Sequence, residues 1–335
     1  MRILTFILLF IIVSSCEGTT KINTSHNPAK PEIKQENNES NEKNMGLLSG
    51  LYTGDNLGAE MTKYCQKIDN KFEQYGWGKS ECGKYDWSWV RKSYWGNLIP
   101  WIVFGEPESE KANTTIIFCG VHGDEITPVK FCFDIMKHLS VNQNKFIGNR
   151  IIVAPLVTPD SFLKKYPSRT NAKGIDVNRN FPTIDWDKDA IRLWKQKYSS
   201  DKRRFPGHQS KTEQEVHFQI NLINRYNPSK IISVHAPLTI IDYDGPSKNH
   251  SGEDHEGKNL LVQMSKKADG YKVKNYPFFP GSLGNWAGNE RGIPTYTVEL
   301  PTSDNRQHEK YWKKFESAIT HAITHRLELG EMVNN

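Results

Sequence analysis

The sequence predicts an α/β domain with a mixed, mainly parallel central sheet and helices on both faces. Two observations carry that expectation. From residue 93 onward, apolar runs of strand length alternate with segments of helical periodicity. Several of these runs are continuously apolar, as strands buried on both faces of a parallel sheet require.

In chain order, Ile3 to Val13 is almost wholly apolar after Arg2. A membrane-spanning helix takes about 20 apolar residues, so this shorter run fits a signal-peptide core instead. Ser14 and Ser15 before Cys16 resemble a bacterial lipobox. Residues 1–15 are therefore read as a lipoprotein-type signal peptide, with Cys16 as the lipidated first residue of an exported protein held at a membrane; a plain secretory signal cleaved nearby is the alternative. Residues 16–45 are rich in Asn, Lys, Glu, Ser and Thr and cannot bury enough surface to offset ordering entropy, so a flexible tether is expected. Residues 46–92 carry Tyr52, Tyr64, Tyr75, Trp77, Tyr85, Trp87 and Trp89 and form an extension of unknown role. Packing on the domain at 93–330 is expected of these aromatics in preference to stacking on sugars. Export permits disulfides. Cys65 and Cys82 flank a Gly/Lys-rich stretch and are expected to pair, whereas Cys119 and Cys132 fall on apolar faces and read as buried thiols.

Within the domain, Ile99 to Phe104 and Thr114 to Cys119 read as strands. Thr127 and Pro128 supply an N-cap and first-turn pair ahead of Val129, Cys132, Phe133 and Met136 at helical spacing. Ile151 to Val157, Ile231 to Val234 and Thr295 to Leu300 are further strands. Thr212-Glu-Gln-Glu215 forms a capping box opening a helix toward Tyr226, and Lys258 to Ala268 reads as a helix stopped by Gly270. The tail from Gln307 to Leu329 carries the apolar stripe of a docked terminal helix. The net charge is +6, with 44 basic and 38 acidic residues. Its basic tracts, Lys202-Arg-Arg204 and Lys313-Lys314, are short, so no nucleic-acid partner is expected; an anionic envelope polymer or acidic peptide suits the charge better.

Ligands in open α/β sheets collect at the carboxyl ends of strands. His122 and Glu125, in Gly120-Val-His-Gly-Asp-Glu125, sit just past one predicted strand; His235 and Glu299 fall at or near later strand ends. Spacing alone is a weak signal, because His250 and Glu253 repeat it among Asp242, Asp244, Gly245, Pro246, Asn249 and Gly252, a composition that reads as a solvated loop. Placement separates the two pairs.

Four ordered motifs then carry a resemblance. Gly120-Val-His-Gly-Asp-Glu125, the run from Arg169 through Asn178-Arg-Asn-Phe-Pro182, Ser233-Val-His-Ala-Pro237 and Thr297-Val-Glu-Leu-Pro301 are similar to the zinc carboxypeptidases of the carboxypeptidase A type, over about residues 90 to 325. His-Ala-Pro after His235 and Pro280-Gly-Ser-Leu-Gly-Asn-Trp286 resemble the bacterial murein peptide amidases, which cleave between γ-D-glutamate and meso-diaminopimelate in cell-wall peptides. Pro159-Asp-Ser-Phe lacks the Gly that often follows Pro-Asp in the family.

The resemblance implies one Zn²⁺ per chain on His122, Glu125 and His235, Glu299 as general base, Arg169 as oxyanion stabiliser, and Asn178 with Arg179 as a clamp for a terminal carboxylate. Ser282 is expected to contact a murein peptide substrate, and Asp176 to be structural or to orient a ligand. Two neutral imidazoles and a carboxylate leave zinc a free position for water, which suits hydrolysis. The alternatives are a general metallocarboxypeptidase acting on ordinary L-peptides and an inactive envelope-binding lipoprotein.

Overall fold

The structure, a computed structural model, describes residues 58–106, 111–248, 255–274 and 276–327. The expected signal peptide, Cys16, the tether, Tyr52 and the His250–Glu253 pair lie outside the described residues.

The described residues form strands β1 (Ile102–Gly105), β2 (Asn113–Phe118), β3 (Asn149–Ala154), β4 (Lys230–His235), β5 (Ile240–Tyr243), β6 (Val273–Lys274) and β7 (Thr295–Glu299), of which β5 and β6 are not expected from the sequence. They form one 7-stranded sheet in the order β1-β3-β2-β4-β7-β5-β6. The four central strands β3, β2, β4 and β7 are mutually parallel, while β1 runs antiparallel to β3 and β5 antiparallel to β7. Successive residues point to opposite faces of a strand. Ile117 on β2 and Ile232 on β4 therefore enter one core, while Ile116 and Ile231 enter the other. Both faces are apolar, and both are covered.

Helices α1 (Ala59–Gln74), α2 (Ile126–Val141), α6 (Gly257–Lys267) and α7 (His308–Thr324) supply side chains to the larger core. Helix α5 (Gln214–Tyr226) closes the opposite face, with Val216, Phe218 and Leu222 buried. The short α3 (Pro159–Phe162) and α4 (Trp186–Gln196) lie in the connection between β3 and α5.

Residues 58–92 share the larger core. Met61, Tyr64, Cys65, Ile68 and Phe72 of α1 are buried in it with Trp77, Tyr85 and Trp87. Phe72 meets Phe133 of α2 at 4.9 Å between ring centroids, and the Trp77 indole donates to the Asn305 carbonyl at 2.8 Å.

Four local expectations need correction. Cys119 and Cys132 are joined as a disulfide with Cα atoms 6.3 Å apart. The turn after β2 folds α2 back over the strand, so two positions that each looked like an isolated apolar thiol face one another. Helix α2 begins at Ile126 with Glu125 in the cap position, and the Thr127 hydroxyl donates to the Thr302 carbonyl at 2.8 Å. The capping box at Thr212 does not form: Glu213 precedes α5, and the Glu215 carboxylate accepts from Asn171 at 3.2 Å. Tertiary partners outcompete the local cap in both cases. Asp242 and Asp244 do not lie in a solvated loop, because Asp242 is a buried residue of β5 and Asp244 continues past its end into a cavity.

Cys65 and Cys82 are also bonded, closing a loop across 17 residues. Chain-entropy restriction for a loop of that length is worth about 3 kcal/mol. Replacing both cysteines by alanine should lower the unfolding free energy by about 2–4 kcal/mol, read as a lower denaturation midpoint in urea. An unchanged midpoint would show that α1 is not tied down by this bond.

Candidate metal centre and substrate cavity

Parallel strands place their carboxyl ends at one edge of the sheet, and the functional side chains gather there. His122 lies in the turn between β2 and α2, His235 is the last residue of β4, and Glu299 is the last residue of β7, in register with His235. His122, Glu125 and His235 are buried, with one potential ligand atom from each lying within 4.8 Å of the others.

Their hydrogen bonds fix which ring atoms face inward. Nδ1 of His122 lies 2.8 Å from Oε1 of Glu125, and Nδ1 of His235 lies 3.0 Å from Oε2. The opposite nitrogens are occupied: Nε2 of His122 meets Asp176 at 3.0 Å, and Nε2 of His235 meets the Ser233 hydroxyl at 2.9 Å. Such outer partners orient imidazole ligands and select their tautomer. Tetrahedral zinc, with bonds of about 2.0–2.2 Å, spaces its donors by about 3.4 Å. Opening the cluster by roughly half an ångström accommodates the ion, so donor types and spacing both fit zinc.

Asp176 is fully buried and serves three neighbours. Besides His122 it accepts from Nε of Arg169 at 2.9 Å and from the main-chain N–H of Asn178 at 3.0 Å. Burial alone would raise its pKa, but Arg169 and His122 override that and hold it well below the ordinary carboxylate range. Arg169 also donates to Oε1 of Glu125 at 3.1 Å, which brings the guanidinium to the edge of the metal cluster.

Asn178 and Arg179 follow on a short 3-10 turn, Val177–Arg179. The Arg179 guanidinium stacks 4.7 Å from the Phe279 ring centroid, donates to the Asn178 carbonyl at 2.6 Å, and leaves its buried Nε without a partner among the described residues. Gly281 makes this placement possible. With φ at +75°, it approaches so closely that a Cβ would stand 2.0 Å from the Arg179 carbonyl oxygen. The Asn178 side-chain oxygen accepts from Leu283 N–H at 2.8 Å, which leaves its amide nitrogen for other partners.

Glu299 accepts from Leu238 N–H at 3.3 Å and has a raised pKa; burial is the main cause, opposed by His235 and reinforced by Glu125. Ser282 lines the same cavity, but its hydroxyl accepts from Asn285 N–H at 3.1 Å, a bond that shapes the following turn. Trp286 is buried against Phe181, with the Arg291 guanidinium 3.7 Å from its ring centroid.

The cavity measures about 550 Å³, and His122, Glu125, Arg169, Asn178, Arg179, His235, Ser282 and Glu299 all line it. Sequence reasoning missed other parts of its wall: Asp242 and Asp244, the segment Tyr276 to Phe279, and Arg203 with Arg204. The one signal for the aspartates was Ile240-Ile-Asp-Tyr243, a strand-like run interrupted by a single acid.

The zinc carboxypeptidase family profile matches residues 88–322. A murein peptide amidase A from Vibrio campbellii is 27% identical over 224 residues, covering 66% of this chain and 83% of that protein. Its counterpart from Escherichia coli is 27% identical over 216 residues, covering 63% and 81%. Among solved structures, bovine thrombin-activatable fibrinolysis inhibitor in complex with tick carboxypeptidase inhibitor superposes with a TM-score of 0.59 at 18% identity, covering 78% of this chain and 96% of that one. Carboxypeptidase A from Helicoverpa armigera gives 0.57 at 17%, covering 78% and 71%. These likenesses show a shared fold, and the profile spans most of the chain. The chain belongs to the zinc carboxypeptidase family of hydrolases.

Proposed function

We propose that this hydrolase is a zinc exopeptidase of the cell wall, releasing meso-diaminopimelate by cutting its bond to γ-D-glutamate in murein peptides. The observation that carries the exopeptidase part is that Arg179 and Asn178 line the same cavity as the metal cluster and Glu299. A cationic clamp beside the hydrolytic centre recognises a terminal carboxylate and sets the bond to be cut one residue from the end. The murein part is supported by the names of the relatives above.

His122, Glu125 and His235 would hold the zinc. Bound there, the ion would supply Lewis acidity for the scissile carbonyl and for a water molecule, worth a water pKa near 7 in comparable sites. The remaining work falls to the chain's own residues. Glu299, half-buried and with a raised pKa, takes the proton of the attacking water and delivers it to the leaving amine. Arg169 is held by Asp176 and presents fixed donors to the negative charge that grows on the carbonyl oxygen. Arg179 and Asn178 bind the terminal carboxylate, and Phe279 fixes the plane of the guanidinium.

Two disulfides suit an oxidising compartment and support export. The apolar run before Cys16 supports a lipid anchor there, with residues 16–45 as a tether. Cys16→Ser should move the protein from the membrane to the soluble fraction; retention of the variant on membranes would refute the anchor.

The assay for the reaction is release of the terminal residue from L-Ala-γ-D-Glu-meso-diaminopimelate, followed by mass spectrometry, alongside all-L peptides and C-terminally blocked analogues. Turnover of the free-ended murein peptide alone is expected. Cleavage confined to all-L peptides would instead identify a general carboxypeptidase, and a zinc-loaded protein that cleaves none would identify a binder. In this assay Glu299→Gln should retain zinc while losing about 10²–10⁴-fold in kcat, the usual contribution of a general base. Unchanged turnover would remove Glu299 from the mechanism. Arg179→Ala should raise KM about 10- to 100-fold, since hydrogen bonds to charged groups are worth about 1.5–3 kcal/mol. A loss in kcat alone would contradict the clamp.

A further inference from the structure

Outside the cavity, a second recess opens where residues 58–92 meet the rest of the domain. It measures about 380 Å³, within the range of small-ligand pockets, about 300–1,000 Å³. One wall is a face of α1, where Lys67, Asn70, Lys71 and Gln74 recur at helical spacing. These four residues lie ahead of residues 88–322, which the family profile matches, so the recess depends on the extension this chain carries.

The facing wall includes a turn, Ser93 to Asn97, that is fixed by Asp160. This buried carboxylate accepts from the Ser93 hydroxyl, from Trp95 N–H at 2.9 Å and from the Asn97 side-chain amide at 2.8 Å. Lys67 bridges the two walls, donating to Oδ1 of Asn97 at 2.5 Å. The turn is held, yet the Trp95 ring it carries is 54% exposed, with the Lys164 ammonium 5.2 Å from a ring centroid. Lys71 is buried. Among the described residues its ammonium meets the Lys164 carbonyl at 2.5 Å and the Tyr75 ring at 5.6 Å, but no carboxylate. A buried ammonium without an anion is costly. Lys67, Lys71 and Lys164 thus surround a recess whose one lining acid among the described residues, Asp160, already has three donors.

Each of these features asks for a different part of one ligand. A half-exposed indole offers a flat apolar face for the C–H groups of a sugar ring. Asn70 and Gln74, exposed on α1, can each donate to and accept from hydroxyl and acetamido groups. The lysines require carboxylates. We propose that this recess is an accessory binding site for the glycan strand of the cell wall, with Trp95 stacked on a sugar ring and the three lysines meeting the carboxylates the strand bears. This rests on the cell-wall reading above and adds a hold on the polymer separate from the peptide that is cut. The recess and the metal-bearing turn flank one short helix, α3: Asp160 fixes the Trp95 turn, while a Cβ on Gly123, next to His122, would stand 2.5 Å from the Phe162 nitrogen.

The test titrates the zinc-loaded protein, by calorimetry, with murein glycan strands stripped of their peptides, which carry free lactyl carboxylates and offer the catalytic cavity no peptide bond. Wild type should bind them about 10-fold or more tightly than uncharged N-acetylglucosamine oligomers of equal length, the margin of a charge-assisted hydrogen bond. Trp95→Ala and Lys164→Glu should each weaken that binding by about 10-fold or more, as loss of an anchor side chain does, with release of meso-diaminopimelate from the free tripeptide unchanged. A wild type that cuts the tripeptide without binding the strands, or variants that bind them as wild type does, overturn the site and leave the exopeptidase reading intact. Equal binding of poly-L-glutamate identifies a groove for acidic peptides and overturns the glycan assignment. A wild type that neither binds the strands nor cuts the tripeptide overturns both readings. Should the variants fail to fold, wild type decides: equal affinity for the charged strands and the uncharged oligomers refutes the proposal.

Discussion

One buried carboxylate, Asp176, sets the relative positions of most of the groups described above. It bonds His122, Arg169 and the main chain of Asn178 at once, with no exposure to solvent. A carboxylate in such a place costs several kcal/mol to desolvate unless it is fully paired. Arg169 and His122 offset that cost, and in doing so they are held in the positions proposed for an oxyanion stabiliser and a metal ligand. Asn178 and Arg179 follow on the same turn, so the proposed carboxylate clamp is tied to the candidate metal cluster through two bonds and one residue of backbone. Binding and chemistry are thereby placed together before substrate arrives, which is the preorganisation that hydrolysis in a partly dry site demands.

The sheet supplies the second constraint. His235 and Glu299 are register partners at the ends of two parallel strands, so their separation is fixed by the ladder and not by loops. The Cys119–Cys132 bond ties the end of β2 to α2, on either side of the turn that carries His122 and Glu125. Deeper in the cavity, the antiparallel pairing of β5 with β7 brings Asp244 under Glu299. A single sheet edge thus places the proposed metal ligands and general base, and the same strands run down beside the cavity.

Much of this was legible in the sequence, for physical reasons. Strands buried on both faces leave continuous apolar runs, and β2, β3, β4 and β7 lie within three residues of the expected bounds at each end. His122, Glu125, His235, Arg169, Arg179 and Glu299 share one cavity because their motifs occupy the strand ends and connections at one sheet edge. What escaped detection lacked a local signature. β6 is two exposed residues, and β5 carries Asp242 in an otherwise apolar run, so neither looked like a buried strand. The Cys119–Cys132 bond and the loss of the caps at Thr127 and Thr212 depend on partners distant in sequence. Asp244 belongs to the same class. Its neighbourhood of Asp, Gly and Pro reads as a solvated turn until the pairing of β5 with β7 places it against Thr297.

The position of the metal decides the chemistry of the whole cavity. Anomalous diffraction at the zinc edge, from crystals of the zinc-loaded protein, should show one peak about 2.0–2.2 Å from Nδ1 of His122, Nδ1 of His235 and the Glu125 carboxylate. A peak on the Nε2 side of either histidine, or none among these three residues, would contradict it.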